Sequence, residues 1–197
     1  MLPAWFGRLM LRLNGMRIVD HNVGKWPEKY VLPVAPHTSN RDFFYGVYSR
    51  MVIREYVNFV GKSSLFRGPL GLVLRWMGGV PVEREKRTNF VDSVVALFRQ
   101  RDEFRLCIAV EGTRKKVDHF KTGFYFIALK AGVPLLPCKF DFANGIIEFA
   151  PPYYPTGDIR VDFDFLYRYF DGVQGLVPEN SFTYDPAVLD LLPEVRQ

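Results

Sequence analysis

Cysteine is scarce: Cys107 and Cys138 are the two in 197 residues. Both lie inside apolar runs, "RLCIAV" and "LLPCKF", without metal-ligand spacing. A disulfide framework and a cysteine metal site are therefore not expected, and the pair reads as small core residues. Long apolar runs are missing too. No stretch reaches the roughly 18 uninterrupted apolar residues of a spanning helix, so an integral membrane protein is not expected. Neither G-x-x-x-x-G-K-[ST] nor G-x-G-x-x-G occurs, which argues against the common nucleotide loops. The G-x-S-x-G elbow of a serine hydrolase is also absent. Histidine numbers only 3, which leaves few candidates for a general base.

What is present is an ordinary globular balance, 48% hydrophobic and 24% charged, in a chain long enough for one well-buried core. The formal charge is +5 with a pI near 9.2, which favours an anionic partner: nucleic acid, a phospholipid surface or a phosphorylated substrate. Aromatic residues are abundant, with 18 Phe, 10 Tyr and 3 Trp.

The first 19 residues, "MLPAWFGRLMLRLNGMRIV", are too often broken by arginine for a secretory signal. As a helix they gather Trp5, Phe6, Leu9, Met10, Leu13 and Met16 on one broad face, with Arg8 and Arg12 at its margins. That pattern fits a helix lying in a membrane interface, and equally one packed on its own domain. The organisation expected is an amphipathic helix over 1–19, one domain over 20–175, and a tail over 176–197 whose role the sequence does not assign.

Short β-type runs alternate with helical ones across that domain. "YVLPVA" (30–35) precedes a helix over 40–53, "VNFVG" (57–61) one over 68–78, "GGVPVE" (78–83) one over 88–101, and "RLCIAVEG" (105–112) one over 122–132. "PLLPCKF", "GIIEFA" and a helix over 159–170 follow. The fold class expected is α/β, a sandwich with a largely parallel sheet flanked by helices.

Ligand sites in such sheets form beyond the carboxyl ends of the strands. His37, Lys62, Arg84, and Glu111 with Arg114 each follow a different predicted strand, and all of them fall on that one edge. In "HTSNRD", His37 would end a strand and Asp42 would occupy the first turn of the next helix, with Ser39 or Asn40 as its N-cap. The carboxylate can then fix the imidazole tautomer and leave the other ring nitrogen to accept a proton. The spacing alone does not separate this from a capped helix beside a half-buried histidine. Ser39 is too local to His37 and Asp42 to act as a triad nucleophile.

"VEGTRKK" (110–116) adds a small turn and fixed cations after a strand, suited to a phosphate or to a plain solvated basic loop. "GGVPVER" adds Arg84 after two glycines.

Together, "PHTSNRD", "GKSSLFRGPLGLVLRWMGGVPVER", "VEGTRKK" and "GVPLLPC" resemble, in order and spacing, the four motifs of the glycerol-phosphate and lysophospholipid acyltransferases. The resemblance runs over about residues 30–158. It implies His37 as general base and Asp42 as its partner in an H-x4-D motif. It implies Arg84, Glu111, Gly112 and Arg114, with Lys62 as a helper, around the acceptor's phosphate, and Pro134 on the acyl-donor side. The reaction implied is direct attack of a lysophospholipid hydroxyl on the thioester of acyl-CoA or acyl-carrier protein, without metal or cofactor. Partners then expected are a membrane surface on its cytoplasmic side and these two substrates, and not nucleic acid. Two positions depart from the pattern: Pro36 where the family commonly has Asn, and Lys115 where it commonly has Ser. An esterase or thioesterase at the same site, or a non-catalytic basic binding module, are the alternative expectations.

Overall fold

A computed structural model describes residues 3–193 apart from 23, 25 and 83–86. Seven strands form one sheet in the order β1-β7-β6-β2-β5-β3-β4. They are β1 (Arg17–Asp20), β2 (Lys29–Ala35), β3 (Asn58–Lys62), β4 (Gly79–Val82), β5 (Phe104–Ala109), β6 (Cys138–Asp141) and β7 (Ile146–Phe149). β6, β2, β5, β3 and β4 run parallel, and the β6–β7 hairpin reverses the direction for β7 and β1. The expected largely parallel sheet is therefore the one observed.

Central strands of a parallel sheet are covered on both faces, and β2 shows it: every residue from Tyr30 to Ala35 is buried. Its Pro33 has no N–H to give. It falls between the isolated bridge Val31–Leu135 and the ladder that starts at Val34–Cys138, where no donor is required.

Helices α1 (Ala4–Leu13), α2 (Asp42–Ile53) and α3 (Gly68–Trp76) form one layer. The face beneath α2 is Tyr30, Leu32, Val34, Val57, Cys138, Phe140 and Phe149. α3 joins this layer through Phe66, whose ring fills the space over Gly61 and Gly79, while neighbouring Phe59 meets Phe43 of α2 at 5.9 Å. Helices α4 (Arg87–Gln100), α5 (Gly123–Ala131) and α6 (Ile159–Phe170) cover the other face, around Phe98, Phe104, Leu106, Phe124, Ile127 and Phe163.

The chain's first segment differs from its expected form. The helix stops at Leu13, and Arg17–Asp20 is a strand paired in parallel with β7. Met16 is buried in the core rather than on a helix face. Leu11 is buried and Gly7 lies against Tyr48, Met51 and Val52 of α2, while Trp5, Leu9 and Leu13 point outward. The helix packs on its own domain and still presents an apolar stripe.

Residues 176–193 also pack on the domain. Phe182 and Val188 are buried in the α4–α6 core. No described helix is long and apolar enough to cross a membrane.

Candidate active site

Because β2, β5 and β3 run parallel and adjacent, the segments leaving their carboxyl ends meet on one edge. His37 leaves β2, Glu111 leaves β5, and Lys62 ends β3. Arg84 lies outside the described residues.

The centre of this edge is the carboxylate of Asp42. It is buried at the first turn of α2, and its Oδ2 accepts from Thr38 N and Ser39 N, both at 2.8 Å, and from His37 Nδ1 at 3.1 Å. Because Oδ2 already accepts two backbone N–H groups, it meets the imidazole as an acceptor too. That geometry puts the proton on Nδ1 and leaves Nε2 of His37 with the free lone pair. The His37 side chain is 28% exposed, open enough to meet a substrate and enclosed enough to be held. Ser39 does not cap α2 as expected. Its Oγ accepts from Arg41 N within the preceding turn, and it stands in a positioning rather than a nucleophilic place.

Glu111 holds the loop from below. It is 2% exposed, and its Oε1 accepts the backbone N–H of His37 at 2.9 Å. Burial pushes its carboxyl pKa up, against the pull of that hydrogen bond. Its Oε2 has no hydrogen-bond partner among the described residues. The contact that the structure gives Glu111 is thus with the backbone of the histidine loop, which it supports from the neighbouring strand.

Gly112, at φ 67°, turns the chain out of the sheet in the left-handed conformation that glycine adopts without strain. Arg114 then reaches across to donate to Asn40 Oδ1 of the histidine loop. Lys115 and Lys116 stand exposed beside it. This turn and the histidine loop thus share one rim.

Pro134 does not join them. Its carbonyl accepts from Val31 N at the start of β2. His37 lies six residues further along, roughly 20 Å for an extended strand.

Two features had no counterpart in the sequence motifs. The segment after α6 braces the histidine loop: Val177 N donates to Thr38 Oγ1 at 3.1 Å, and Gly175 lies so close that a Cβ there would sit 2.6 Å from the Thr38 side chain. Nothing in "GVQGLVP" signals this, because the contact spans 139 residues. The second is an apolar cavity of about 110 Å³ between α2 and the sheet. Its walls include Phe43, Gly46 and Arg50 of α2, Phe59, and both cysteines. Burial pushes the Cys107 thiol up to about 12 and raises Cys138 further from ionisation, so neither is a nucleophile at neutral pH.

Residues 17–141 match the family model described as Acyltransferase. A 1-acyl-sn-glycerol-3-phosphate acyltransferase of Haemophilus influenzae is 34% identical over 144 residues, 69% of this chain and 58% of that protein. The human 1-acyl-sn-glycerol-3-phosphate acyltransferase beta is 26% identical over 165 residues, 80% of this chain and 58% of its own length. The chain therefore spans somewhat more than half the length of these relatives. The crystal structure of a 1-acyl-sn-glycerophosphate acyltransferase from Thermotoga maritima superposes with a TM-score of 0.54 over 83% of this chain and 74% of that one. At 19% identity that likeness concerns the fold. The matched span contains the histidine loop, the Glu111–Arg114 turn and the strands that bring them together, and the chain belongs to the acyltransferase family.

Proposed function

We propose that the chain is an O-acyltransferase that moves a fatty acyl group from a thioester, acyl-CoA or acyl-carrier protein, to the hydroxyl of a lysophosphatidic acid-like acceptor. The observation that carries this reading is the His37–Asp42 pair, with the carboxylate fixed by three donors and the imidazole left partly open.

In the proposed reaction, Nε2 of His37 takes the proton of the acceptor hydroxyl as its oxygen attacks the thioester carbonyl carbon. The C–S bond then breaks, the acyl group stays on the acceptor oxygen as an ester, and the leaving thiolate takes the proton from the imidazolium. Asp42 supports the imidazolium while it exists. A thioester is already activated, so positioning and one base suffice and no further cofactor is needed.

The acceptor's phosphate would lie on the Gly112–Lys116 turn, with Arg114 nearest the histidine loop, and the family resemblance adds Lys62 and Arg84. The acyl chain would enter at the apolar cavity beneath α2, whose Phe43 wall directly follows Asp42 in the chain. With a lipid acceptor and lipid product the protein works as a peripheral protein at a bilayer. Donors of this kind place it on the cytoplasmic side.

The test is thiol release from palmitoyl-CoA and from acyl-carrier protein, with and without lysophosphatidic acid, for the wild type beside His37→Ala and Asp42→Asn. Acceptor-dependent release that falls about 10²–10⁴-fold in folded variants supports the reading. Equal release without acceptor makes the site a thioesterase. No release with any donor, or variants equal to wild type, rejects the proposed catalytic pair.

A further inference from the structure

Helix α3 is built inside out. Amphipathic helices on a globular domain normally bury their apolar stripe and expose polar residues. In α3 the buried residue is Gly71, whose backbone sits on that of Phe66 so closely that a Cβ would collide. The outward side carries Leu70, Leu72, Val73 and Trp76, with Leu72 72% and Trp76 73% exposed. Leu72, Val73 and Trp76 recur at the helical spacing of one face.

This face does not stand alone. On α1, in the same layer, Trp5, Leu9 and Leu13 point outward as well. Phe43 and Phe44, also exposed, occupy the first turn of α2 immediately after Asp42. The opposite layer is different: its exposed large apolar residues include Val161 and Phe165 of α6, set among charged neighbours such as Arg160, Asp164 and Arg168. Exposed apolar side chains gathered on one layer without acidic neighbours mark a contact rather than chance exposure.

Charge indicates which contact. α1 and the stretch 63–77 contain no acidic residue, and α2 contributes only the buried Asp42. The exposed charges there are arginines: Arg8 and Arg12 on α1, Arg67 just before α3 and Arg75 in its last turn. Large apolar side chains rimmed by cations, without anions, complement the headgroup boundary of an anionic bilayer. The layer is also held together as one body. Arg50 of α2 donates to Val57 O at 3.1 Å and to Met77 O at the end of α3 at 2.5 Å.

We propose that α3, together with α1, forms a two-helix bilayer-docking surface in which Leu72, Val73 and Trp76 enter the headgroup boundary of an anionic membrane and bring the start of α2, with its catalytic pair, to the lipid. The proposal rests on the reading of the acceptor as a membrane lipid. It adds a second insertion point, in mid-chain, to the N-terminal helix.

The experiment uses the full chain with vesicles of phosphatidylcholine and phosphatidylglycerol. In a Trp5→Phe background, Trp76 is the exposed indole, since Trp26 packs on Tyr30 and Phe149 inside the domain. Brominated lipids are expected to quench Trp76 and to protect it from iodide. The double variant L72D/W76D is expected to lower vesicle partitioning about tenfold or more. Its melting should stay unchanged, because both positions are exposed. Transfer to a short-chain acceptor in free solution should persist while transfer to acceptor in vesicles falls.

A Trp76 that stays open to iodide on vesicles overturns the proposal. So does a stable dimer that the double variant splits while vesicle binding is kept, since the face would then belong to a second copy. If no acceptor is acylated in any form, the enzymatic reading fails. The vesicle and quenching results still decide the docking surface by themselves.

Discussion

The backbone N–H of His37 is held by the side chain of Glu111, 74 residues further along the chain, at 2.9 Å. The bond ties the loop after β2 to the turn after β5. It makes the two sequence motifs one structure: the histidine is aimed by Asp42 from its own loop and anchored by Glu111 from the neighbouring strand.

Replacing Glu111 by Ala leaves the half-buried His37 N–H without its acceptor, a loss of about 1 kcal/mol or more. Glu111→Gln keeps an acceptor oxygen and removes the ionisable group. The folded-state pKa of Glu111 lies above its unfolded value, so the folded protein binds more protons in that interval. Stability from this group is therefore full below the unfolded value, about 4.3, and declines as pH rises through the folded one. Urea unfolding at a series of pH values should show the wild type losing stability relative to Glu111→Gln over that interval. A constant difference between the two would mean that Glu111 does not titrate as its burial requires.

Asp42→Asn tests orientation separately from charge. The amide retains one oxygen for Thr38 N and Ser39 N, yet no longer stabilises an imidazolium. Turnover should fall about 10²–10⁴-fold, with unfolding free energy lowered by only about 1–3 kcal/mol. Turnover within a few-fold of wild type would assign the pair a structural part alone.

Most of this frame was legible in the sequence because it depends on short-range pattern. The strands after which His37, Lys62 and Glu111 follow are apolar runs bounded by turns, and parallel order puts their ends on one edge. β1 was not legible. Its four residues adjoin a strongly amphipathic helix, and only the edge offered by β7 makes them a strand. The place of Pro134 was not legible for a related reason: a motif fixes order along the chain, whereas its position at the start of β2 is set by pairing of the 134–136 segment with Val31. The supporting bond from Glu111 and the brace from Val177 join residues far apart in sequence, so no local signal exists for either.

Gly175 tests that brace. A methyl group there would press on Cγ2 and Oγ1 of Thr38, each 2.6 Å away, and Thr38 is itself 5% exposed with little room to turn. Gly175→Ala should cost about 1–3 kcal/mol from overpacking and lower turnover by displacing the loop that carries His37. Thr38→Ala removes both opposing atoms at the price of the Val177 hydrogen bond. The double variant should therefore be more stable than the sum of the two single changes. Strict additivity in thermal unfolding would show that the two residues do not bear on each other.

The cavity under α2 gives a test of where the acyl chain goes. Gly46 lines it, and a Cβ at that position meets no atom within 4 Å. Adding a side chain therefore fills space rather than displacing protein, and the helix itself gains roughly 0.5–1 kcal/mol for each glycine replaced by alanine. Gly46→Ala should be at least as stable as wild type. Gly46→Leu should occupy the volume that a long chain would use, so the ratio of kcat/KM for palmitoyl to octanoyl donors should fall about tenfold or more, the scale on which apolar pockets discriminate chain length by successive methylenes. A ratio that stays fixed while the leucine variant folds normally would place the acyl chain elsewhere, because a chain seated under α2 must meet whatever is built at Gly46.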